Sequence, residues 1–344
     1  MARNLIVSVD AMGGDAGPGI VVAALRRAGE RHPNVNFIVH GDEAVLKPLL
    51  DGHKKLAGRI TLQHSPERVR MEDKPSHILR RGRNTSMFAA IDSVKKGEAE
   101  AAISAGNTGA LMALAMFNLG ILDGISRPAI ASIWPTMRGQ TIVLDMGANV
   151  SADAEQLVEF AVMGAALARV MFGLERPSVG LLNVGTEETK GIDSVKDAGH
   201  ILRHANLAME YAGFVEGDDI TAGVVDVVVT DGFTGNIALK TAEGAAKLVT
   251  GYLRAALRRS LMGRIGAVIA SGALNAVKRK LDPRASGGGV FLGLSGIAVK
   301  SHGGSDEIAF AAALDLAIDM AEAEITKRIA ADRAGMALPE VVAS

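Results

Sequence analysis

The sequence predicts an α/β fold, a mostly parallel sheet with helices on both faces, and three observations carry that prediction. Short apolar runs of strand character alternate with amphipathic stretches of helical length through the first two thirds of the chain. Five of those runs empty into short loops of Gly, Asn, Asp, Thr and Ser, the usual chemistry of strand-to-helix turns. The 344 residues are 48% hydrophobic but only 3% aromatic, with 40 Gly, so a core of Ala, Val, Ile, Leu and Met has to fit around many tight turns.

Along the chain, Leu5–Asp10 reads as strand, Gly19–Arg31 as helix, Val35–His40 as strand, Glu43–Leu50 as helix and Arg59–Gln63 as strand. Asn84–Lys96 is predicted helical, with Met87, Ala90, Ile91 and Val94 on one face and Lys95-Lys96-Gly97 as its end. Ala99–Ser104 is a short buried strand before the apolar helix Thr108–Leu119. Thr141–Asp145 is strand, and Ala154–Phe172 a long helix with Ser151 or Asp153 as its N-cap. Ser178–Asn183 (strand), Ser194–His204 (helix) and the Val-rich strand Val224–Thr230, interrupted by Asp226, continue the alternation. Residues 237–285 change texture and read as a helical hairpin, with long helices over Ile237–Leu281 broken around Gly263 to Gly272. A turn at Ser286-Gly-Gly-Gly289 leads into strands Val290–Leu294 and Ile297–Lys300, then a last helix Asp306–Ala331. Residues 1–335 are expected to form one α/β/α domain, with 336–344 a frayed tail.

Composition excludes several classes. A net charge of −1 argues against whole-surface attraction to nucleic acid. The absence of Cys removes disulfides, thiolate metal sites and a cysteine acyl-enzyme. The N-terminal run Asn4–Asp10 is β-like, so no secretory signal is expected. Mean hydropathy is +0.22, yet the longest apolar stretch, Gly109 to Leu122, is 14 residues and contains Asn118, short of a membrane span. A cytoplasmic protein is expected.

Familiar fingerprints are missing. No loop fits G-x-G-x-x-G or G-x-x-x-x-G-K-[ST], the eight His are scattered without H-E-x-x-H, and no G-x-S-x-G elbow occurs. Nicotinamide chemistry, a metal site and a serine nucleophile are therefore disfavoured, and no cofactor is expected. What remains is the five loops: Asp10–Asp15, Ser104–Gly109, Asp145–Asn149, Asn183–Lys190 and Thr230–Asn236. At the carboxyl edge of a parallel sheet such loops gather backbone N–H groups and helix N-termini that favour anions, which points to phosphate. Each is also ordinary turn chemistry. Together they offer Asp10, Gly13, Gly14, Asn107, Thr108, Asn149, Thr186, Thr234 and Asn236 as candidate contacts. Lys190 adds a cation that Glu187 or Glu188 could equally neutralise.

Two basic features stand beside the loops. Arg80, Arg81 and Arg83 are either a solvated helix end or guanidiniums for phosphate oxygens. Gly251–Arg284 holds eight Lys or Arg (254, 258, 259, 264, 278, 279, 280, 284) and one acid, Asp282, with apolar residues at helical spacing. This hairpin reads as a helix pair packing on a dimer partner, or as a basic amphipathic tip for an anionic membrane through Leu261, Met262, Ile265, Val268 and Ile269. His302, in Lys300-Ser-His-Gly-Gly-Ser-Asp306, is a candidate contact with a structural hydrogen bond as its plainer role.

The loop wording resembles the bacterial phosphate acyltransferase (PlsX) family. The resemblance lies in Val9-Asp-Ala-Met-Gly-Gly-Asp15, Ile103-Ser-Ala-Gly-Asn-Thr-Gly-Ala-Leu-Met112, Leu144-Asp-Met-Gly-Ala-Asn-Val150, Gly180-Leu-Leu-Asn-Val-Gly-Thr-Glu-Glu188, Val229-Thr-Asp-Gly-Phe-Thr-Gly-Asn236 and Lys300–Asp306, spanning about residues 4 to 330. It implies transfer of an acyl group from acyl-[acyl-carrier protein] to inorganic phosphate, giving acyl phosphate for phospholipid synthesis. It also implies a fold like isocitrate and isopropylmalate dehydrogenases and phosphotransacetylase, without their cofactor or metal, in a homodimer attached peripherally to the inner face of the cell membrane. Expected partners are acyl carrier protein, phosphate, glycerol-3-phosphate acyltransferase and the membrane surface. The family's catalytic lysine and asparagine match Lys190 and Asn236.

The residues agree with that chemistry. Phosphate is already a nucleophile, so the enzyme has only to hold a dianion against a thioester and stabilise an oxyanion. Lys190 is expected to neutralise charge and Asn236 to donate to the carbonyl oxygen, with loop amides around Gly106–Gly109 and Gly147–Asn149 cradling phosphate. Acidic carrier protein needs a basic surface, for which the Arg80–Arg83 group and the hairpin are candidates. A phosphotransacetylase-like enzyme using acyl-CoA, and a non-enzymatic membrane scaffold for lipid enzymes, are the rival readings.

Overall fold

The computed structural model describes residues 4–53, 56–280 and 288–335. Leu281, Asp282, Arg284, Ser286, Gly287 and the 336–344 tail lie outside the described residues, as do the side chains of 278–280. The chain runs β1 (Leu5–Asp10), α1 (Pro18–Arg31), β2 (Val35–Gly41), α2 (Glu43–Asp51), β3 (Ile60–His64), α3 (Pro75–Arg81), α4 (Ser86–Lys95), β4 (Ala101–Ser104) and α5 (Thr108–Leu119), with a 3-10 turn at Gly82–Asn84. It continues through β5 (Ala129–Thr136), β6 (Gly139–Leu144), α6 (Ala154–Phe172), β7 (Ser178–Leu182), α7 (Asp193–His204), β8 (Glu210–Val215), α8 (Gly217–Ala222) and β9 (Val227–Val229). Then come α9 (Gly232–Arg258), α10 (Leu261–Ile269), α11 (Ser271–Lys280), β10 (Gly289–Leu292), β11 (Ile297–Lys300), α12 (Glu307–Glu322) and α13 (Ile325–Ala334).

All eleven strands form one sheet, ordered β3-β2-β1-β4-β11-β10-β5-β6-β9-β7-β8. Most pairings are parallel, but β11–β10, β10–β5 and β5–β6 are antiparallel. Three reversals across the centre give β1 to β4 and β11 one sense and β6 to β9 the other. The sheet is mostly parallel, as expected, yet built from two parallel flanks that point opposite ways. The five Gly/Asn loops therefore do not gather at one carboxyl edge: those after β1 and β4 leave one edge, those after β6, β7 and β9 the other.

Alternate residues along the strands separate two hydrophobic clusters, one on each face, as a period of two requires. On one face Val7, Val9, Ile103, Ile142, Leu144, Val227 and Val229 pack under α1, α6, α7, α12 and α13. On the other, Ala102, Val143, Val228, Ala298 and Phe291 meet Met87 and Ile91 of α4, Leu111 and Leu114 of α5, and part of α9.

Local chemistry explains several boundaries. Asp153 caps α6 in a full capping box with Gln156, fixing the predicted start. Thr85 caps α4 by accepting from Phe88 N–H at 3.3 Å, so that helix starts at Ser86 rather than Asn84. Asp226 leaves the ladder to accept from Ser178 N–H and Oγ, both at 2.7 Å, which shortens β9 to three residues. The expected last helix divides at Glu324, whose φ of 50° cannot continue α12.

The hairpin region also differs from expectation. It is three helices in succession, and Gly263 and Gly266 lie inside α10 while Gly272 lies inside α11. The first break falls at Arg259–Ser260, where Ser260 caps α10 by accepting from Gly263 N–H at 3.0 Å. From Lys247 to Arg258 every residue of α9 except Leu257 is exposed, so this end of the helix stands clear of the core. Leu261, Met262, Ile265, Val268 and Ile269 are all exposed. No described helix is long and apolar enough to cross a membrane.

Candidate active site

Strands β6, β9 and β7 are consecutive neighbours and run in the same sense. At about 4.8 Å per strand their carboxyl ends share roughly 10 Å of sheet edge. The segments that leave them carry Asn149, Asn236 and Lys190.

The β6 loop is a rigid platform built on Asp145. This carboxylate is fully buried; Oδ1 accepts from Ile130 N–H at 3.0 Å, Gly147 N–H at 3.1 Å and Ala148 N–H at 2.9 Å. Oδ2 accepts from Asn149 N–H at 2.7 Å and Asn149 Nδ2 at 2.9 Å. Burial pushes the Asp145 pKa up, and these bonds oppose the shift. Asn149 Nδ2 also donates to Pro128 O at 2.9 Å, so both amide hydrogens are spent inside the fold and Asn149 is a strut rather than a phosphate donor.

The α9 N-terminus presses onto this platform. Asp231 caps it, with Oδ1 accepting from Thr234 N–H and Oδ2 from Thr234 Oγ1, both at 2.8 Å. Gly232 and Gly235 are buried against Asn149 and Asp145, and a Cβ on either would run into a backbone carbonyl of the β6 loop. Asn236 therefore lies in the helix rather than in a loop, directly after the tightest contact. Its side chain rests on Gly147, where φ is 122° and a Cβ would sit 3.4 Å from Asn236 Cβ. Half-buried, the Asn236 amide has no hydrogen-bond partner among the described residues.

Lys190 closes the β7 loop. Asn183 Oδ1 accepts from Val184 N–H at 2.9 Å, its Nδ2 donates to Lys190 O at 3.0 Å, and Lys190 N–H donates to Glu187 O at 3.0 Å. The Lys190 side chain is exposed, and its ammonium has no ion pair among the described residues. Glu188, which could have neutralised it, pairs with Arg203 at 3.1 Å instead. Thr186 is exposed in the same loop. The structure thus gathers Lys190, Thr186, Asn149, Thr234 and Asn236 along one edge. Of these, the Lys190 ammonium, the Asn236 amide and the Thr186 hydroxyl have no partner among the described residues.

The remaining candidates belong elsewhere. Asp10, buried at the end of β1, accepts from Ser86 Oγ and Ser104 Oγ, each at 2.6 Å, from Met12 N–H at 3.2 Å and from Gly13 N–H at 3.1 Å. Burial pushes its pKa up against those bonds. Lys300, 8% exposed, donates to Ala105 O at 3.3 Å and to Ser301 O, tying the β4 and β11 loops together. Burial holds the Lys300 pKa down to about 8, with the Asp10 and Asp15 charges opposing the fall. Gly13 is buried beside Asp10, and Gly14 turns with φ 88°.

Asn107 caps α5 through Ala110 N–H at 3.0 Å and gives Nδ2 to Met71 O at 2.6 Å and Asp73 O at 3.2 Å, so its amide is structural. Thr108 opens that helix, half-buried. Exposed His302 accepts from Gly304 N–H at 3.2 Å through Nδ1, a turn bond. Arg80, Arg81 and Arg83 are exposed around the end of α3 and have no ion pair among the described residues. No hydrogen bond among the described residues joins this group to the Lys190 edge.

Asp145, Ser86, Ser104 and Lys300 were not singled out by the sequence reading. One signal does mark the two aspartates: each ends or directly follows a buried strand and precedes a Gly within three residues, so its carboxylate can collect the N–H groups of the turn.

A family model described as a fatty acid synthesis protein matches residues 5–328. The phosphate acyltransferase of Parvibaculum lavamentivorans is 55% identical, over 96% of this chain and 92% of its own. That of Xanthobacter autotrophicus is 56% identical, over 100% of this chain and 97% of its own. Among solved structures, a phosphotransacetylase from Streptococcus pyogenes superposes with a TM-score of 0.61 at 18% identity, covering 95% of each chain. The EutD phosphotransacetylase from Staphylococcus aureus gives 0.58 at 17% identity, covering 94% of each. These two likenesses speak to the fold.

Proposed function

Because this chain belongs to the phosphate acyltransferase family, we propose that it moves a fatty acyl group from acyl-[acyl-carrier protein] to inorganic phosphate, giving acyl phosphate for phospholipid synthesis. The observation that carries the mechanism is the pairing of a free ammonium and a free amide, Lys190 in the loop after β7 and Asn236 in the first turns of the helix after β9, its parallel neighbour. A phosphate oxygen attacks the thioester carbonyl carbon. Lys190 offsets the dianion's charge, and the carbonyl oxygen, gaining charge, accepts from Asn236 Nδ2. The C–S bond then breaks, the C–O bond to phosphate stays, and the thiolate leaves with a proton from solvent. Asp145 takes no part in bond making; its role is to hold Gly147, on which the Asn236 side chain rests.

The assay that tests this follows acyl phosphate in the presence of phosphate, with carrier-protein and CoA thioesters of the same acyl group as alternative substrates. Faster turnover of the carrier-protein thioester is expected. Faster turnover of the CoA thioester overturns the donor, and no acyl phosphate from either overturns the function.

Work at the inner membrane surface as a homodimer, beside a glycerol-3-phosphate acyltransferase, is part of the same proposal. The exposed apolar face of α10 and the exposed Arg254, Arg258, Arg259 and Arg264 support it. Flotation with anionic liposomes is the check: equal flotation of the wild type and a variant with Leu261, Ile265, Val268 and Ile269 all changed to Ser removes the membrane role.

A further inference from the structure

The β6 loop, the β7 loop and the first turns of α9, which carry Asn149, Lys190 and Asn236, also carry five large apolar side chains that the fold leaves uncovered. Val150 follows Asn149 in the β6 loop and is 82% exposed; Val184 in the β7 loop is 79% exposed. Ile192, two residues beyond Lys190, is 63% exposed. Phe233 and Ile237, on either side of Asn236 in the first turns of α9, are 61% and 50% exposed. Phe233 and Ile237 are four residues apart and so share a helix face. In strand order α9 leaves the middle of the three, with Val150 on one side and Val184 and Ile192 on the other. Short polar turns are the ordinary composition of such loops, so apolar residues in all three form a rim with a cause to seek.

We infer that this rim holds the hydrocarbon chain of the acyl donor next to the thioester carbonyl, and so sets the enzyme's preference among chain lengths. The inference rests on the proposed function. Continuity argues for this occupant: the chain is bonded to the carbonyl carbon that Asn236 polarises, so its first methylenes must lie within a few ångströms of Asn236. Ile237 is Asn236's neighbour in the helix and Phe233 lies one turn before it, both exposed. Burying methylenes against them adds binding in proportion to the length covered, which a phosphate-only site could not provide.

The test compares kcat/KM for myristoyl and butyryl carrier-protein thioesters in the wild type, a Phe233→Ser/Ile237→Ser variant and a Val150→Ser/Val184→Ser variant. Met137→Ser, at the exposed turn between β5 and β6, is the control. Each rim variant is expected to lower the myristoyl-to-butyryl ratio by ~10-fold or more, the size of a lost methylene-scale contact, while the control keeps it. The Val150/Val184 pair stands outside α9, so it remains informative if the α9 pair does not fold. An unchanged ratio in folded rim variants overturns the inference, and so does an equal loss for both substrates. A change of oligomeric state with an unchanged ratio gives the rim to a second copy of the chain and overturns it as well. Absence of acyl phosphate from the wild type with both thioesters overturns the function reading itself, a result separate from any of these.

Discussion

Gly235 and Asp145 are in direct backbone contact: a Cβ on Gly235 would run into the Asp145 carbonyl oxygen. One missing methyl group thus lets α9 approach β6 closely enough to place Asn236 over Gly147. Gly235→Ala is expected to push the first turn of α9 outward and lower stability by about 1–3 kcal/mol, the usual cost of overpacking. Turnover should fall further than the folded fraction does. Urea unfolding alongside acyl phosphate formation checks this, and wild-type values for both would show that the contact is not tight.

Lys190→Ala and Asn236→Ala should separate activity from stability. Lys190 is exposed and unpaired, and the Asn236 amide has no partner among the described residues, so either change should move stability by less than about 1 kcal/mol. Loss of one charge-stabilising donor should lower kcat by at least ~10²-fold in each. Near-normal turnover of either variant removes that residue from the mechanism.

Arg80, Arg81 and Arg83 are proposed as a docking surface for the carrier protein. Changing all three to Glu should raise KM for the carrier-protein thioester ~10-fold or more and weaken its salt dependence, while the CoA thioester is turned over as before. The same KM for both thioesters in variant and wild type would return the cluster to a solvated helix end.

His40 gives the fold an acid-sensitive step. It is buried, with Nε2 against Ser8 Oγ at 2.9 Å and Ser93 Oγ at 3.3 Å, and Nδ1 has no partner. Burial lowers its pKa from 6.5 to about 4; Asp92 pulls upward and Lys96 downward. The folded chain therefore refuses a proton that the unfolded chain accepts, and stability is lost as pH falls from 6.5 toward about 4. The loss should reach about 3 kcal/mol, at 1.36 kcal/mol per pKa unit. His40→Gln should flatten that part of the profile by this amount, measured by urea unfolding across the window. An identical slope would show that His40 is protonated in the fold.

The sequence made most elements legible where periodicity and capping agreed, as in Ala154–Phe172, bounded by Asp153 and Gly173. Strand β5 escaped notice because it pairs through a turn at Met137-Arg138 with no Asn-Gly signal, and Pro135 interrupts its pattern. Strand β8 was hidden by Gly213, at φ 94°, next to the register shift against β7. Missing β5 concealed the reversal of strand sense, since the direction of a strand is set by pairing and connection rather than by its own residues. The same loss misplaced the loops: Lys190 and Asn236 were expected on one edge and share it, but the departure of the Asp10 and Asn107 loops to the opposite edge was not legible. Asn107 and Asn149 looked like ligand contacts because their type and position fit, and only the fold reveals that their amides are already committed.

Helix α9 joins two very different neighbourhoods. From Gly235, where it is clamped, to its end at Arg258 the axis runs roughly 35 Å, whereas Asn236 is only about 1.5 Å past the clamp. As a lever pivoting there, the helix has a mechanical ratio above ~20 to 1. A displacement of several ångströms at the far end, imposed by whatever surface the arm rests on, reaches Asn236 as a few tenths of an ångström. The amide stays within the tolerance that carbonyl polarisation demands. The clamp, with Ala238, Leu239 and Ala242 packed just beyond it, is placed to isolate the chemistry from any movement of the arm.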